Sequence, residues 1–379
     1  MRERGVLVAL GLVLLAGVAA LIVGIVSCQG GDGAEGSTVV TGPTPGDRSP
    51  FVAVLLPETS SPRWVTQDRP VLEQTLSDAG MEHSIDNAGG DSERQQEQAR
   101  EALARATVLL VAPVDAVTGT AIVAAARAEG VPVIEYDRVS TGEPGPDYFV
   151  GYDNEAVGRM LGEGLVRCLG DRGLVNARVA ELDGPPTDGA AQVLKEGYDA
   201  VLEPRFAEKS FVKVAEEAVP AWDSLLAAGV LDDVLDRIGP ALDGVLTPSD
   251  ELAAGAIEAL AGRRLNGIPV TGAGATLEAV QRVLAGDQCL TVYRPVAPEA
   301  SDAAFLAAQV ARGDVPDLQT SVLVGSRRIP AVVHQAVPIT NDIQLIQDTV
   351  VHDRFLTWEQ ICTARYEQFC PPPSQRGSG

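Results

Sequence analysis

From Phe51 onward, short apolar runs alternate with amphipathic stretches of helical length. The first run, Phe51–Leu56, reads FVAVLL, similar runs recur at 107–112 and 131–134, and a more polar strand is expected at 82–86. Alternating β and α units of this size favour right-handed crossovers and a parallel sheet with helices on both faces. The same order of elements begins again after Asn154 and continues to Tyr293. The sequence therefore predicts an α/β protein with two doubly wound parallel-sheet lobes.

Polar side chains follow the apolar run at 131–134. Glu135, Tyr136, Asp137 and Arg138 follow it in a row, and ligands of open α/β sheets bind outside the carboxyl ends of the strands, so Asp137 and Arg138 are candidates for gripping a polar ligand. A salt bridge that closes a loop explains this pair equally well on spacing alone. The next apolar run leads into Asp153 and Asn154, a residue pair typical of a helix N-cap.

The charge balance excludes one class of partner. The chain has 29 basic and 52 acidic residues, which gives a formal net charge of −23. Nucleic-acid binding needs a basic surface that matches the phosphate backbone, so a nucleic-acid partner is disfavoured. With 379 residues and 45% hydrophobic content, the chain has ample material for a sizeable core.

The N-terminus has the pattern of an export segment. Two arginines within residues 1–4 precede an uncharged apolar run, 6–27, which ends at Cys28. This run is long enough to span a bilayer, so a cleaved signal and a retained membrane anchor both fit it. Residues 25–28, IVSC, resemble a lipobox, the site at which bacterial lipoproteins are cut before a cysteine that becomes diacylated, and this favours a signal peptide over 1–28. Residues 29–50 are rich in Gly, Pro, Ser and Thr and predict a flexible linker. Both interpretations place the remainder outside the cytoplasm.

Several motifs, in this order, resemble the sugar-binding proteins of ABC transporters, most closely the D-xylose-binding group. They are the Arg63-Trp64 pair, VAPVDA at 111–116, YDR at 136–138, YDNEAVG at 152–158, PSDELAAGAIEAL at 248–260 and TVYRP at 291–295. The resemblance covers nearly all of residues 51–370. It implies a type I periplasmic-binding-protein fold, in which two lobes face each other across a hinged cleft. It also implies a small sugar-like ligand, an ABC permease as partner, a monomeric chain, no cofactor and no catalytic residues.

The same resemblance implies how the chain divides between the lobes. We expect the first lobe to comprise residues 51–151, with about 294–330 returning to it. The second lobe should comprise 152–293, with about 331–371 returning to it. Residues 372–379 would form a disordered tail.

A sugar offers hydroxyls that donate and accept hydrogen bonds, together with an apolar face. Planar charged side chains and an aromatic platform suit both features. The positions that match or adjoin the family's ligand contacts are Arg63, Trp64, Asp137 and Arg138 in the first lobe and Asp188, Lys195, Asp250 and Arg294 in the second. Trp64 fits a platform or the core equally well. Lys195 stands where the family has Arg, and Arg294 stands where it has Lys.

Other positions depart from the family pattern. Gly189 and Ala190 replace two asparagines, Ser249 replaces another, and Gly274 replaces an aspartate. A buried hydroxyl left unmatched costs about 1–3 kcal/mol, so these losses predict weak pentose binding or a different, bulkier ligand. On this view, the pair of substitutions Gly189→Asn and Gly274→Asp should restore pentose affinity.

After Cys28, the chain contains four more cysteines. An even number in an oxidising compartment indicates disulfides, and no CxxC or His spacing favours a metal site. The segment ICTARYEQFC at 361–370 resembles the C-terminal tail of Gram-positive family members. This resemblance implies a Cys362–Cys370 pair, which leaves Cys168 to pair with Cys289.

Three alternative functions were weighed. The segment 268–277, IPVTGAGATL, resembles a dinucleotide fingerprint, but its third glycine and its ribose-binding acid are missing. No GxSxG or HExxH motif is present and the three histidines are scattered, so an enzyme is disfavoured. A lactose-repressor-like regulator would need a DNA-binding helix-turn-helix where this chain has an export segment. A degenerate pair of lobes that acts as a ligand sensor or surface scaffold remains the alternative to uptake.

The lipobox generates the first prediction. Mass spectrometry of the native N-terminus should find a chain that begins at a diacylated Cys28 on the outer face of the cytoplasmic membrane. Because the cysteine itself is the acceptor, Cys28→Ser should leave the leader uncut. An unmodified chain that still begins at Met1 in the wild type would leave the retained membrane helix as the correct interpretation.

Overall fold

The computed structural model describes residues 48–59, 63–140, 142–324 and 326–376. The predicted signal peptide, Cys28 and most of the linker lie outside these residues. Within the described part of the chain, no helix is long and apolar enough to cross a membrane.

Thirteen strands form the sheets of the described chain: β1 (Phe51–Leu56), β2 (Glu82–Asn87), β3 (Val108–Val111), β4 (Val133–Tyr136), β5 (Tyr148–Tyr152), β6 (Ala177–Asp183), β7 (Phe211–Ala218), β8 (Gly244–Leu246), β9 (Thr271–Ala273), β10 (Leu290–Tyr293), β11 (Thr320–Val324), β12 (Arg327–His334) and β13 (Val337–Ile339).

Eleven α-helices connect these strands in the described chain: α1 (Arg69–Asp78), α2 (Ser92–Leu103), α3 (Ala116–Ala128), α4 (Asn154–Asp171), α5 (Gly189–Ala207), α6 (Ser224–Ile238), α7 (Asp250–Gly262), α8 (Leu277–Ala285), α9 (Val296–Ala311), α10 (Ile343–Ile346) and α11 (Trp358–Ile361). A π-helical turn, Trp64–Asp68, precedes α1, and another, Gln347–Val351, follows α10.

The first lobe is a seven-stranded sheet with the order β11-β12-β5-β4-β3-β1-β2. All neighbours are parallel except β11 and β12. In β1, Val52 and Val54 pack with α1 and α9, whereas Ala53 and Leu55 pack with α2 and α3. Both faces of the strand are therefore covered, which explains why its sequence is continuously apolar.

The second lobe contains two three-stranded sheets, β7-β6-β8 and β13-β10-β9. A single parallel bridge, Val245 to Val270, joins them, with the Val245 N–H donating to the Pro269 carbonyl over 2.9 Å. Proline has no N–H to continue a ladder, so the sheet is interrupted at this point. The strand order across the bridge is still that of a doubly wound sheet, and the predicted fold class is confirmed.

Three segments pass between the lobes: from β5 to α4, from β10 to α9, and from β12 to β13. The last one differs from the expected division of the chain. Residues 331–334 of β12 pair with β5 in the first sheet, so the chain enters the second lobe after His334 rather than near residue 330.

Two segments, predicted as a flexible linker and a disordered tail, contain ordered residues. Arg48, assigned to the linker, donates hydrogen bonds to the Leu103 and Ala106 carbonyls over 2.8 and 3.1 Å. At the other end, Pro373–Gln375 form a 3₁₀ turn, and the Arg376 guanidinium lies 2.8 Å from Glu367, so the chain is ordered beyond residue 372. In both places an arginine anchors the segment through its donors.

Most helices begin with a capping side chain in the loop that follows the carboxyl end of a strand. Asp153 accepts a hydrogen bond from the Ala156 N–H, which confirms it as the N-cap of α4, and Ser249 rather than Asp250 caps α7. The same pattern holds at Asp91, Asp115, Asp188, Asp223 and Thr276. Short polar caps therefore line the strand ends in both lobes.

Both predicted disulfides are present: Cys168 to Cys289 and Cys362 to Cys370. The first ties α4 to the residue before β10 across a sequence separation of 121, and the second spans a separation of 8. A cross-link that closes a longer loop removes more conformational entropy from the unfolded chain.

This difference in loop length generates the second prediction. The double variant Cys168→Ser/Cys289→Ser should lose about 2–4 kcal/mol of unfolding free energy, because it opens the long loop. The matched variant Cys362→Ser/Cys370→Ser should lose less. Urea titration of both variants measures the difference, after peptide mapping without reduction has established the pairs in the wild type. A larger loss from the short loop would contradict this account.

Candidate functional site

The Arg63 guanidinium is the centre of a charged cluster at the carboxyl ends of the first-lobe strands. Its Nε and Nη2 donate to the two oxygens of Asp68 over 3.0 and 2.8 Å, and its Nη1 donates to Asp137 Oδ1 over 3.0 Å. Nη2 also lies 3.3 Å from Glu299 Oε2. Asp68 accepts a further hydrogen bond from the Tyr136 hydroxyl. One guanidinium thus joins the π-helical turn, the end of β4 and the first turn of α9.

Asp137 directly follows β4 and has a positive φ of 61°, a conformation that is uncommon for a residue with a side chain. Its N–H donates to the Val150 carbonyl over 2.9 Å, which extends the pairing between β4 and β5. Burial alone would raise the pKa of its carboxyl, but Arg63, Arg294 and Arg138 lower it below its ordinary value. Asp137 is therefore held as an anion that can accept hydrogen bonds.

Arg138 lies beside Asp137 and is about a quarter exposed. It forms an ion pair with Glu58, which follows β1, and its Nη1 approaches the Val114 carbonyl, after β3, to 3.4 Å. Arg138 therefore crosses the carboxyl ends of the strands, where the sequence placed a ligand contact. Its ion pair with Glu58 also fits the alternative interpretation from the sequence, a salt bridge that closes a loop.

Trp64 lies in the core of the first lobe. Its side chain is only 1% exposed, and it packs edge-to-face against Tyr136 with 6.0 Å between ring centroids. The Arg63 guanidinium carbon lies 4.5 Å from the Trp64 ring centroid. Of the two interpretations, the structure places Trp64 in the core rather than at the cleft surface.

In the second lobe, Asp188 caps α5 through its Oδ1, and its Oδ2 accepts a hydrogen bond from Trp222 Nε1 over 2.9 Å. Trp222 follows β7 and packs so closely against Gly184 that a Cβ there would lie 2.4 Å from the ring. The indole is half-buried at the carboxyl ends of β6 and β7. Sequence analysis missed this residue because the acidic segment around it gave no readable periodicity.

Lys195 reaches four carboxylates from α5. Its Nζ lies 3.3 Å from Asp183, 3.2 Å from Asp199, 3.1 Å from Glu216 and 3.9 Å from Glu181. Partial burial opposes the charge, but these acids raise the pKa of Lys195 above its ordinary value. The side chain is 27% exposed, so it remains accessible at the end of β6.

Asp250 is buried and faces the interior of the second lobe. Its carboxylate accepts hydrogen bonds from the Thr276 N–H over 2.9 Å and from Gln288 Nε2 and Thr291 Oγ1, each over 3.0 Å. Only 1% of the residue is exposed. The structure thus gives Asp250 a bracing role between β8, β9 and β10, and it does not bring this side chain to the cleft surface.

The same carboxylate affects the expected rescue at Gly274. Gly274 has a φ of 130°, which side chains rarely adopt, and a Cβ there would lie 3.3 Å from Asp250 Oδ2. An aspartate at this position would be strained and would place a second carboxylate against a buried one. The expectation that Gly274→Asp restores pentose affinity therefore fails on local geometry.

Arg294 connects the second lobe to the charged cluster of the first. It follows β10, and its Nη1 lies 3.9 Å from Asp137 Oδ1. Glu251, at the start of α7, reaches solvent, yet the surrounding protein and the adjacent Asp250 raise the pKa of its carboxyl, while Arg294 opposes the shift. The carboxyl ends of strands from both lobes therefore come together around Arg294.

Two other features bear on where a ligand or metal would bind. A surface cavity of about 420 Å³ is lined by Val166, Leu174, Arg205 and Phe211, among others. Phe211 begins β7, so this cavity lies at the amino end of the strand, away from the charged cluster. Within the described residues, no group of His, Cys, Asp and Glu side chains is arranged to hold a metal ion.

Comparison with known proteins identifies the family. Residues 52–314 match the family described as periplasmic binding protein domain. The D-xylose-binding periplasmic protein of Escherichia coli (strain K12) is 28% identical over 295 residues, covering 77% of this chain and 87% of that protein. The xylitol-binding protein of Mycolicibacterium smegmatis is 24% identical and covers 72% of each chain. The relatives named here are binding proteins rather than enzymes.

Solved structures give the same result for the fold. A carbohydrate transporter solute-binding protein from Chloroflexus aurantiacus, in complex with D-glucose, has a TM-score of 0.73 at 25% identity and covers 82% of this chain and 97% of that one. An ABC transporter solute-binding protein from Clostridium phytofermentans, with bound β-D-glucose, has a TM-score of 0.74 at 23% identity and covers 82% and 99% of the two chains. At 23% identity, the likeness to the second of these structures establishes the fold alone.

The charged cluster generates the third prediction. Arg63→Ala should lower the unfolding free energy by about 3–5 kcal/mol, because it leaves the carboxyl groups of Asp68, Asp137 and Glu299 buried beside one another without their shared cation. Urea denaturation at neutral pH measures the loss. Arg105→Ala is the matched control, since Arg105 pairs with Glu82 at the exposed surface. Equal losses in the two variants would show that Arg63 does not hold the cluster together.

Proposed function

The chain belongs to the periplasmic binding protein domain family, and from this premise we propose that it captures a small polyhydroxylated ligand between its lobes and delivers it to an ABC permease. The observation that carries this proposal is the position of Asp137. Its carboxylate lies at a strand end between three arginines, Arg63, Arg138 and Arg294. An ionised carboxylate flanked by guanidinium donors matches hydroxyl groups, which donate and accept at once.

Each part of the cleft has a distinct role in this proposal. Asp137 accepts hydrogen bonds from ligand hydroxyls, and Arg138 and Arg294 donate to them. Trp222 offers a half-buried indole, oriented by Asp188, against which the apolar face of a sugar ring packs. Lys195 contributes a further donor from the second lobe. Closure follows when the ligand contacts both lobes, because a ligand shifts an open–closed equilibrium only through its extra affinity for the closed state.

The second lobe bears on which ligand is bound. Gly189 and Ala190 offer no side-chain amides, and the Asp250 carboxylate accepts its hydrogen bonds from residues of its own lobe. Fewer polar groups remain there to satisfy a pentose from both sides. We therefore favour a ligand larger than a pentose, such as a hexose or a cyclitol, that fills the space beside Gly189. Lipid attachment at Cys28 would keep the protein beside its permease.

One alternative has a specific observation in its favour. The inward orientation of Asp250 and the missing amides weaken the second-lobe contacts on which closure depends. A chain in which closure has become weak would act as a ligand sensor or a surface scaffold rather than in uptake. The binding measurement that follows separates these functions.

The fourth prediction concerns Arg138. A thermal-shift screen with D-xylose, D-glucose, myo-inositol and xylitol should identify a stabilising ligand, and calorimetry then gives its affinity. Arg138→Ala should weaken that affinity about 10- to 100-fold, because a charge-assisted hydrogen bond contributes about 1.5–3 kcal/mol. The exposed Arg105→Ala variant should bind like the wild type. Unchanged affinity in Arg138→Ala would place the ligand elsewhere, and no stabilisation by any polyol would favour the scaffold.

A further inference from the structure

Glu299 is a buried acid that the proposed ligand contacts do not include. It lies in the first turn of α9 and has no solvent exposure. Its Oε2 is 3.3 Å from Arg63 Nη2, and its Oε1 has no hydrogen-bond partner among the residues that the structure describes. Burying an ionised oxygen without a hydrogen-bond partner costs far more free energy than burying a neutral one.

The charges around Glu299 do not balance. The groups that face it are Arg63 before the π-helical turn, Asp68 within that turn, Tyr136 and Asp137 at the end of β4, Tyr152 at the end of β5, and Arg294 after β10. Burial raises the pKa of both tyrosines, so they remain neutral. Arg138 also faces Asp137, but its charge is matched by its ion pair with Glu58. Three carboxylates then face the two remaining guanidiniums, which leaves one negative charge in excess. A buried cluster of this kind takes up a proton.

The contacts indicate which carboxylate holds that proton. Asp68 accepts two hydrogen bonds from Arg63 and one from Tyr136. Asp137 has Arg63 at 3.0 Å and Arg294 at 3.9 Å. Glu299 has the longest of the three contacts to Arg63 and one oxygen without a partner. Burial, together with Asp137 and Asp68, raises the pKa of Glu299 well above its ordinary value, which agrees with Glu299 as the protonated carboxyl.

We propose that Glu299 is a positioning residue that carries a proton at neutral pH and thereby leaves Arg63 paired with Asp137 in the ligand site. The effect of this proton on ligand binding rests on the proposed function, whereas the protonation of Glu299 does not. If Glu299 ionised, a third negative charge would compete with Asp137 for the same guanidinium. The disturbance would also reach the segment between the lobes, because the Tyr152 hydroxyl donates to the carbonyl of Pro295, just before α9, over 2.6 Å.

Unfolding as a function of pH tests the proton without any ligand. A carboxyl with a raised pKa in the folded state binds one more proton than the unfolded chain does, over the pH range between the two pKa values. Stability is therefore highest at the acidic end and falls as pH rises through that range. The unfolding constant of the wild type, divided by that of Glu299→Gln, should rise about tenfold per pH unit from pH 5.5 to pH 7 and beyond.

Glu135→Gln is the matched control. Glu135 is also fully buried in the first lobe, but its hydrogen bonds go to Ser140 and it does not contact Arg63. Burial raises its pKa to about 7, so the corresponding ratio for this variant should stop rising near that pH. A wild-type to Glu299→Gln ratio that stays constant between pH 5.5 and pH 7 would overturn the proposal, because Glu299 would then be ionised in the folded protein.

Two further measurements complete the test. If Glu299→Gln does not fold, infrared spectroscopy of the Glu135→Gln/Glu181→Gln/Glu251→Gln variant with isotope-labelled glutamate side chains decides at pH 7.5, since a protonated glutamate band supports the proposal and its absence refutes it. Glu181 and Glu251 are removed as well because burial raises the pKa of both carboxyls, and the label separates glutamate from the buried aspartates. Calorimetry with D-glucose should show affinity that falls at alkaline pH in the wild type but not in Glu299→Gln. If neither D-glucose nor any other polyol of the screen binds, the sugar proposal fails while the unfolding ratio still decides whether Glu299 is protonated.

Discussion

The Arg63 guanidinium, held among three buried carboxylates, is the interaction on which the first lobe and its candidate site depend. Asp68, Asp137 and Glu299 come from a π-helical turn, a strand end and α9, the helix with which the chain returns to the first lobe after β10. A buried arginine is tolerated only when its donors are satisfied, so these three elements must meet at one point. That requirement brings the segment around Arg294 next to Asp137 and joins the two lobes at the same place.

The two lobes use similar strand ends differently. In the first lobe, Arg138 is partly exposed, and the surrounding arginines keep the buried Asp137 ionised. In the second lobe, Asp250 turns inward to brace three strands, and Asp188 is shared between a helix N-terminus and Trp222. In the proposed site, the first lobe therefore offers an ionised carboxylate and the second lobe offers an aromatic surface. This asymmetry is why we expect a ligand that differs from a pentose.

Much of the fold was readable from the sequence because it depends on local patterns. The bounds of β1 were predicted residue for residue, since it is an apolar run that ends at a proline. The segment containing β7 and α6 gave no such pattern because β7 is partly exposed and rich in charge. Their residue types and their position after a predicted strand also marked Asp137 and Arg138 as candidate ligand contacts. The sequence did not indicate the roles of Asp68 and Glu299, because these roles depend on contacts with Arg63. Glu299 lies 236 positions away from Arg63 in the sequence. The inward turn of Asp250 likewise depends on Gln288 and Thr291, which no local motif links to it.

The central claim is that a polyhydroxylated ligand binds between the lobes at Asp137. A crystal structure of the protein with the most stabilising polyol tests this claim most directly. We predict ligand hydroxyls within about 3 Å of the Asp137 carboxylate and the Arg138 guanidinium, with the ring against Trp222. Ligand density at the cavity beside Val166 and Phe211, with Asp137 contacted only by its own arginines, would contradict it.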